Sequence, residues 1–301
     1  MKKSILFLPI LIFTLFAGCG GGSSSSTTTP PPNDESAFGS PERVTMIGYN
    51  GDVMEPFISR DGVYLFFNNA GGPTDKDLFY GVFVNETTVR FEGALTAINT
   101  AYVDGVPTLD SKNTFYYVST ADYNPPATYD TLYKGTWSNH SVAGVTPVTG
   151  LATPAFINFD IEVNAAGDTL YFVEGDFSGS GGSPVSADIV IAIDNGSGFI
   201  RDPNSATIMA HVNTTDLEYA PAISIDGLEL FFTRLNPSTS EARIYRTTRD
   251  TISSVFEVPE LVGAIDGFVE GPALSPDEKS LYYHRLNPGS GHFELYRVTR
   301  P

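Results

Sequence analysis

One short pattern occurs five times in this chain and constrains its fold more than any other feature. Each copy begins with an acidic residue and a short apolar strand, passes through a polar turn, and ends in a strand with two adjacent aromatic residues. The copies span Glu55–Phe67, Asp104–Tyr117, Asp160–Phe172, Glu218–Phe232 and Glu270–Tyr283. Aligned on the residue before each aromatic pair, they are spaced by 50, 55, 60 and 51 residues. A spacing near fifty with several strands per copy predicts a β-propeller.

The adjacent aromatic residues indicate how each copy packs. Neighbouring side chains of a strand point to opposite faces, so a strand with one solvated face would carry only one of the two. Two in a row indicate that both faces are covered, as in a blade that packs between two others. The pairs are Phe66-Phe67, Tyr116-Tyr117, Tyr171-Phe172, Phe231-Phe232 and Tyr282-Tyr283.

Further apolar segments complete a blade of four strands. A third strand follows each of the five copies. A fourth apolar stretch follows each of the first four copies, and the fifth copy has none because the chain stops at Pro301. The missing strand is predicted near the other end, at Arg43–Ile47. We therefore expect an all-β, five-bladed β-propeller over residues 38–301, with four antiparallel strands per blade. The N-terminal strand would close the ring and leave few unpaired edges.

The first residues are typical of an export signal. Residues 1–18 begin with two Lys residues and continue with an apolar run too short to span a membrane comfortably. The run ends in Phe16-Ala17-Gly18-Cys19, which resembles a bacterial lipobox and implies that Cys19 is lipidated and becomes the new N-terminus. The alternatives are an ordinary signal peptide that ends in Cys, or a buried thiol.

A tether is predicted between this signal and the propeller. Residues 20–37 are rich in Gly, Ser, Thr and Pro and cannot bury apolar surface, so residues 19–37 form a lipidated Cys followed by a disordered segment. The expected product is a membrane-anchored lipoprotein of the bacterial cell envelope. Gly20 is not the Asp that resembles an inner-membrane retention signal, which favours the outer membrane. The sequence leaves open whether the domain faces the periplasm or the cell surface.

The chain is strongly acidic. Its formal net charge is −18, and removal of the signal takes away Lys2 and Lys3 but no acid, which leaves −20. Such a surface repels nucleic acid and suits cations, basic partners or neutral sugars. Solubility of an exported domain explains the same charge equally well. Because Cys19 is the only cysteine, the mature domain forms no internal disulfide. We expect a monomer without a cofactor.

Two of the copies carry a family resemblance. The segments Gly271–Tyr283 and Glu218–Phe232 resemble the WD-like repeat of TolB-type propellers, and the copy at Glu55–Phe67 is similar. The resemblance implies a propeller fold, export from the cytoplasm, and binding of a protein or small ligand; it does not imply catalysis. A TolB protein has six blades and a separate N-terminal domain, whereas five blades and no such domain are expected here.

The acidic residues that open the copies are predicted to share one face near the propeller axis. They are Glu55, Asp104, Asp160, Glu218 and Glu270, and loops at the same face add Tyr123, Tyr129 and Phe177. A ring of carboxylates can bind a cation or a basic group. The structural alternative is that each acid accepts hydrogen bonds from backbone N–H groups once per blade. These eight residues are the candidate binding residues.

A glycoside hydrolase is the alternative from a different functional class. Some five-bladed propellers, the arabinanase-like ones, use three carboxylates on this face, and Glu55, Asp104 and Asp160 come from three consecutive copies. Such a site should be asymmetric, whereas the acids here repeat in all copies. The four His residues lack metal-ligand spacing, so no metal site is expected. The sequence therefore favours a non-catalytic binding or scaffold module for a protein, cation or glycan, with no catalytic residues.

Overall fold

The computed structural model describes residues 37–71, 75–179 and 183–301. The predicted signal peptide, Cys19 and all of the tether except Ala37 lie outside the described residues. The described part of the chain forms 21 β-strands and one four-residue helix, so the protein is all-β, as predicted. Within the described residues, no helix is long and apolar enough to cross a membrane.

Each sequence copy forms the first two strands of an antiparallel unit. Two short strands, β1 (Glu42–Arg43) and β2 (Thr45–Ile47), precede the first unit. The first unit contains β3 (Met54–Ile58), β4 (Tyr64–Asn68), β5 (Leu78–Asn85) and β6 (Thr88–Ala94). The second contains β7 (Asp104–Leu109), β8 (Thr114–Ser119), β9 (Leu132–Ser138) and β10 (Ser141–Pro147). Within both units, strands that are consecutive in the chain pair with each other.

The last three units follow the same order. The third contains β11 (Phe156–Val163), β12 (Thr169–Asp176), β13 (Ser186–Asp194) and β14 (Phe199–Arg201). The fourth contains β15 (Leu217–Ile223), β16 (Glu229–Asn236), β17 (Glu241–Thr248) and β18 (Glu260–Leu261). The fifth contains β19 (Val269–Leu274), β20 (Ser280–Leu286) and β21 (Phe293–Thr299). A single parallel bridge between Ala187 and Leu217 joins the third unit to the fourth.

The N-terminal segment is shared between two units. Strand β1 pairs antiparallel with β21 of the fifth unit, and the Val44 N–H donates to the Leu295 carbonyl over 2.8 Å. Strand β2 instead runs parallel to β6 of the first unit. The single strand predicted at Arg43–Ile47 is therefore divided at Val44, whose side chain is buried between the two sheets.

Two of the predicted fourth strands are shorter than expected. The apolar stretches Phe199–Met209 and Val255–Val262 contribute only β14 and β18 to the sheets. The remainder of the first stretch includes helix α1 (Ser205–Ile208). Its Ile208 and the Phe256 of the second stretch lie in the same core cluster. These apolar residues cover the sheet with side chains instead of extending it.

The aromatic pairs form much of the core. All ten residues are at most 3% exposed. Within the first pair, Phe66 packs towards Phe115 of the second unit, while Phe67 lies in a cluster with Tyr282 of the fifth. The two faces of one strand thus contact two different units, as the adjacency of the aromatic residues predicts.

Candidate functional site

A β-bulge interrupts the first strand of every unit. In four units the pairing register shifts over three residues, as between Met54 and Phe57, and in the third unit it shifts one residue earlier, between Asn158 and Asp160. Four of the five residues at the bulge have positive φ angles: Glu55 at 48°, Val106 at 56°, Ala220 at 49° and Gly271 at 63°. Each of these four precedes a Pro. A bulge of this kind turns its residue out of the sheet, here towards the narrow channel that all five bulges line.

The bulge shows that the five predicted acids are not equivalent. Asp104 and Glu218 stand three residues before the Pro of their copies, and Glu270 stands two residues before it. Glu55 occupies the bulge position itself. Asp160 aligns with Glu55 in the third unit, where Ile161 replaces the Pro and the bulge falls one residue earlier, at Phe159. The acids therefore fall into three structural positions, and a symmetric ring of carboxylates is not formed.

Asp104 and Glu218 fulfil the structural alternative. In each case the Thr four residues earlier donates both its backbone N–H and its hydroxyl to the carboxylate, at 2.5–2.7 Å for Thr100 and 2.7–2.9 Å for Thr214. Glu218 also accepts from Arg234 Nε at 2.6 Å. Both acids are fully buried. Their hydrogen bonds hold the loop that leads into the first strand, and neither acid lines the axial cavity.

The other three acids meet in one cavity at the axis. Glu55, Asp160 and Glu270 form its polar floor together with His284. Its walls are mainly apolar and come from the first, third and fourth units. They are Met54, Phe159, Phe177, Leu217 and Tyr219. A mostly apolar pocket with a few convergent polar groups is the usual form of a ligand site.

Lys76 keeps Glu55 ionised. Its ammonium lies 3.0 Å from Glu55 Oε2 and 3.3 Å from Oε1, and the Lys76 side chain is only 2% exposed. Burial alone would raise the pKa of Glu55, but the adjacent ammonium and its hydrogen bonds lower it below the ordinary value. The Lys76 stem packs over Gly105, where a Cβ would lie 2.8 Å from Lys76 Cδ. Any side chain at Gly105 would therefore displace the lysine.

Asp160 has the opposite environment. It is 3% exposed, Oδ2 accepts the Ala220 N–H at 3.0 Å, and Oδ1 has no hydrogen-bond partner among the described residues. Burial, followed by the nearby negative charge of Glu55, raises the pKa of Asp160 well above its ordinary value. The cavity thus contains one carboxyl group whose pKa is raised beside one whose pKa is lowered.

A recurring hydrogen bond explains how two of these groups are positioned. The N–H of a bulge residue donates to a side chain on the second strand of the preceding unit: Val106 to Asn68 at 3.0 Å, and Gly271 to Thr233 at 3.1 Å. Between the fifth unit and the first, the Glu55 N–H donates to His284 Nδ1 at 3.0 Å.

The third unit lacks this acceptor, which explains the contact of Asp160. The residue at the corresponding position of its second strand is Val173, which offers no acceptor. Asp160 therefore binds the bulge N–H of the fourth unit, that of Ala220, in its place. One oxygen of Asp160 thus has a structural role, and only Oδ1 is left for other contacts.

The imidazole of His284 is neutral in this arrangement. Because Nδ1 accepts from Glu55, the ring proton lies on Nε2, which faces Glu270 Oε2 at 3.3 Å. Glu270 also accepts from the Tyr219 hydroxyl. Burial, and then the charge of Glu270, raises the pKa of Tyr219 well above its ordinary value, so this hydroxyl stays protonated.

Of the three predicted rim aromatics, one lines the cavity and two do not. Phe177 lines the cavity and packs edge-on against Phe159 at 5.5 Å between ring centroids. Tyr123 and Tyr129 contact each other at 6.3 Å on the second unit and do not line the cavity. Of the eight predicted binding residues, the cavity therefore brings together Glu55, Asp160, Glu270 and Phe177.

Sequence reasoning missed Lys76, Tyr219 and His284. One signal for His284 was present, because the similar fourth and fifth copies read TRLNP and HRLNP, and the difference between them is this residue. Lys76 gave no such signal, since its contact with Glu55 depends on where the loop before β5 turns. Among the described residues, no group of three acidic, His or Cys side chains could hold a metal ion.

Comparisons with known proteins identify the fold. No protein-family model matches the chain, and no curated protein is similar to it in sequence. An endo-arabinase from Bacteroides thetaiotaomicron is 13% identical, covers 86% of this chain and 98% of its own, and superposes with a TM-score of 0.55. A family 117 glycoside hydrolase from Zobellia galactanivorans is 12% identical, with coverages of 89% and 91% and a TM-score of 0.53.

A TolB-like protein from Agrobacterium tumefaciens is also similar, at 14% identity, coverages of 85% and 78%, and a TM-score of 0.47. That score is too low to carry an argument, so the TolB resemblance of the sequence remains a likeness only. The glycoside hydrolases are β-propellers, and at these identities they establish a β-propeller fold for this chain and nothing about its activity.

Proposed function

We propose that this propeller is a glycoside hydrolase whose reaction takes place in the axial cavity. The observation that carries the proposal is the pair Asp160 and Glu55, two neighbouring carboxyl groups whose environments move their pKa values in opposite directions. Glycoside hydrolysis needs one carboxyl group that gives a proton to the leaving oxygen and one that is ionised. We therefore prefer the glycoside hydrolase, which the sequence analysis gave as the alternative, to the non-catalytic module.

The roles follow from the contacts of the two groups. Asp160 is the general acid, because Oδ2 is occupied by the Ala220 N–H and the unpartnered Oδ1 is available to donate to a glycosidic oxygen. Glu55, held ionised by Lys76, is the base or the nucleophile. Asp104 takes no part, since Thr100 and burial retain it in the loop. Glycoside hydrolases with propeller architecture show only that this kind of fold can carry such a reaction.

The supporting scaffold is proposed to be a closed ring of five blades. Two contacts support closure: strand β1 pairs with β21, and the Glu55–His284 hydrogen bond repeats between the last and first units the contact seen between consecutive ones.

We also propose that lipidation of Cys19 anchors the ring to a membrane of the bacterial cell envelope, most simply the outer membrane. The lipobox-like Phe16–Cys19 segment and the tether sequence support this location.

A non-catalytic binding module is the second candidate. The enclosed part of the cavity measures about 50 Å³, which is room for a few water molecules or a small polar group and less than a whole sugar ring needs. This observation favours recognition of one protruding group of a protein or glycan partner.

Hydrolysis of a panel of unactivated glycans and of nitrophenyl glycosides by the purified full-length protein tests the proposal. Asp160→Asn should lower turnover of unactivated glycans by about 10²–10⁴-fold and spare nitrophenyl glycosides, whose leaving group needs no proton. Glu55→Gln should abolish both activities. Glu260→Gln, an exposed acid of β18, is the matched control. Absence of turnover on every substrate, or equal activity of all three variants, would reject the hydrolase in favour of the binding module.

A further inference from the structure

The charges of the cavity are unbalanced at Glu270. Glu55 has Lys76 as its counter-ion, and burial raises the pKa of Asp160 well above its ordinary value, which favours its uncharged form. Within the described part of the chain, the partners of Glu270 are two neutral donors, the Tyr219 hydroxyl and His284 Nε2–H. No Lys or Arg of the described residues forms an ion pair with it. A carboxylate that is 6% exposed and lacks a cation is costly unless a ligand supplies one.

A second, independent feature, the unpartnered Oδ1 of Asp160, indicates that the cavity binds a ligand. Asp160 is 3% exposed, and its Oδ1 lies in the same cavity with no partner among the described residues. Buried polar atoms of proteins are almost always hydrogen-bonded, so an orphaned one at a cavity floor indicates a group that arrives with the ligand. Because Oδ1 is the free position for the Asp160 proton, the ligand atom that pairs with it is an oxygen acceptor.

The walls suit a cation as well. Phe159 packs against Phe177 at 5.5 Å and against Tyr219 at 6.3 Å between ring centroids, and all three rings line the cavity together with its carboxyl groups. Aromatic faces attract an ammonium group and exclude the water that would compete for it. The net charge of −18 attracts cationic ligands to the surface.

We propose that the cavity recognises a protonated amine next to an oxygen acceptor, and that its substrate is therefore a glycoside of an amino sugar with a free amino group. The ammonium binds Glu270 between the aromatic rings, and the glycosidic oxygen accepts from Asp160. The choice of reacting group rests on the proposed hydrolase function, whereas the preference for an amine rests on Glu270 alone. Glu270 is thus a specificity residue.

Calorimetric titration of the purified full-length protein tests this preference without turnover. The probes are glucosamine and galactosamine, with glucose and N-acetylglucosamine as uncharged partners. The amines should bind at least about tenfold more tightly than their uncharged partners, as expected for one charge-assisted contact. Glu270→Gln should remove that difference, and the exposed Glu260→Gln should keep it.

Equal affinity of the wild-type protein for charged and uncharged sugars would overturn the inference, even if Glu270→Gln fails to fold. A preference for amines that survives in folded Glu270→Gln would overturn it too. Amine preference without hydrolysis of any glycan would reject the hydrolase and its glycoside substrate, and it would leave the recognition of an amine by Glu270 standing. Hydrolysis of neutral glycosides without amine preference would do the reverse.

Discussion

Replacing Lys76 by Met isolates the electrostatics of the cavity. Met has a similar length and packs over Gly105, so the change removes the ammonium and little volume. Glu55 is then left buried without its counter-ion. Breaking a buried ion pair by removing one partner costs about 3–5 kcal/mol of unfolding free energy. We expect about 3 kcal/mol, the lower end, because the Glu55 side chain keeps 14% exposure and can draw some solvation from water.

The loss should depend on pH in a defined direction. In the wild type the lowered pKa of Glu55 contributes stability that is present above the ordinary Glu pKa and lost as the pH falls through the folded-state value. Without Lys76, burial raises the pKa of Glu55, so the variant carries a penalty that grows as the pH rises above about 4.3, the ordinary value. The difference between the two proteins is therefore large at pH 7 and smaller near pH 4.5.

Urea unfolding at pH 7 and pH 4.5 measures both effects, with the fluorescence of the only tryptophan, buried Trp137, as the probe. Lys112→Met, at an exposed turn, is the matched control and should change stability by less than about 0.5 kcal/mol. Adding Glu55→Gln to Lys76→Met should recover at least about 1 kcal/mol. A loss equal to that of the control, or one that is the same at both pH values, would refute the electrostatic account.

Three further perturbations test anchoring, closure and positioning. Cys19→Ser should move the protein from the membrane fraction to the soluble fraction; retention in membranes would contradict lipidation. Deleting residues 38–48 should lower the melting temperature by at least about 5 °C because it unpairs β21, whereas deleting residues 20–37 should leave it unchanged; equal tolerance of both deletions would argue against closure. His284→Asn should cost less than about 1 kcal/mol in urea unfolding because Asn68 makes the same contact elsewhere, and His284→Val should cost about 1–3 kcal/mol by orphaning the Glu55 N–H; equal losses would show that this hydrogen bond does not hold the bulge.

The all-β propeller fold could be predicted from the sequence because its signals are local. The aromatic pairs stand next to each other, and the turn between the first two strands repeats the same side-chain contact in three units. Ser59, Ser224 and Ser275 each donate to the Asp two residues later, at 2.5–2.6 Å. Interactions within a few residues of each other leave a pattern that one sequence shows.

The candidate site was only partly predictable because its contacts are long-range. His284 and Glu55 are 229 residues apart, and Lys76 lies 21 residues from Glu55 on a loop without regular structure. The acids of the five copies were aligned with one another, although they occupy three different positions relative to the bulge. From the sequence alone, an acid before an apolar strand looks the same at each of these positions. Asp104 stands two residues before the bulge residue of its copy, Val106, whereas Glu55 is itself the bulge residue, so the two side chains point to different places despite similar surroundings in the sequence.

The asymmetry of the cavity follows from how the copies differ at two equivalent positions. At the position aligned with Glu55, the five copies place Glu55, Val106, Asp160, Ala220 and Gly271 around the axial channel, so only two of them bring a carboxyl group. At the acceptor position of the second strand, the ring of His284 accepts from the Glu55 N–H through Nδ1 and faces Glu270 through Nε2. The repeated backbone sets the direction of these side chains. Differences between single copies then determine which of them carry a carboxyl group or an imidazole. Carboxyl groups at two of these five positions give neighbours with different surroundings, which is the condition for one acid and one base at the same pH.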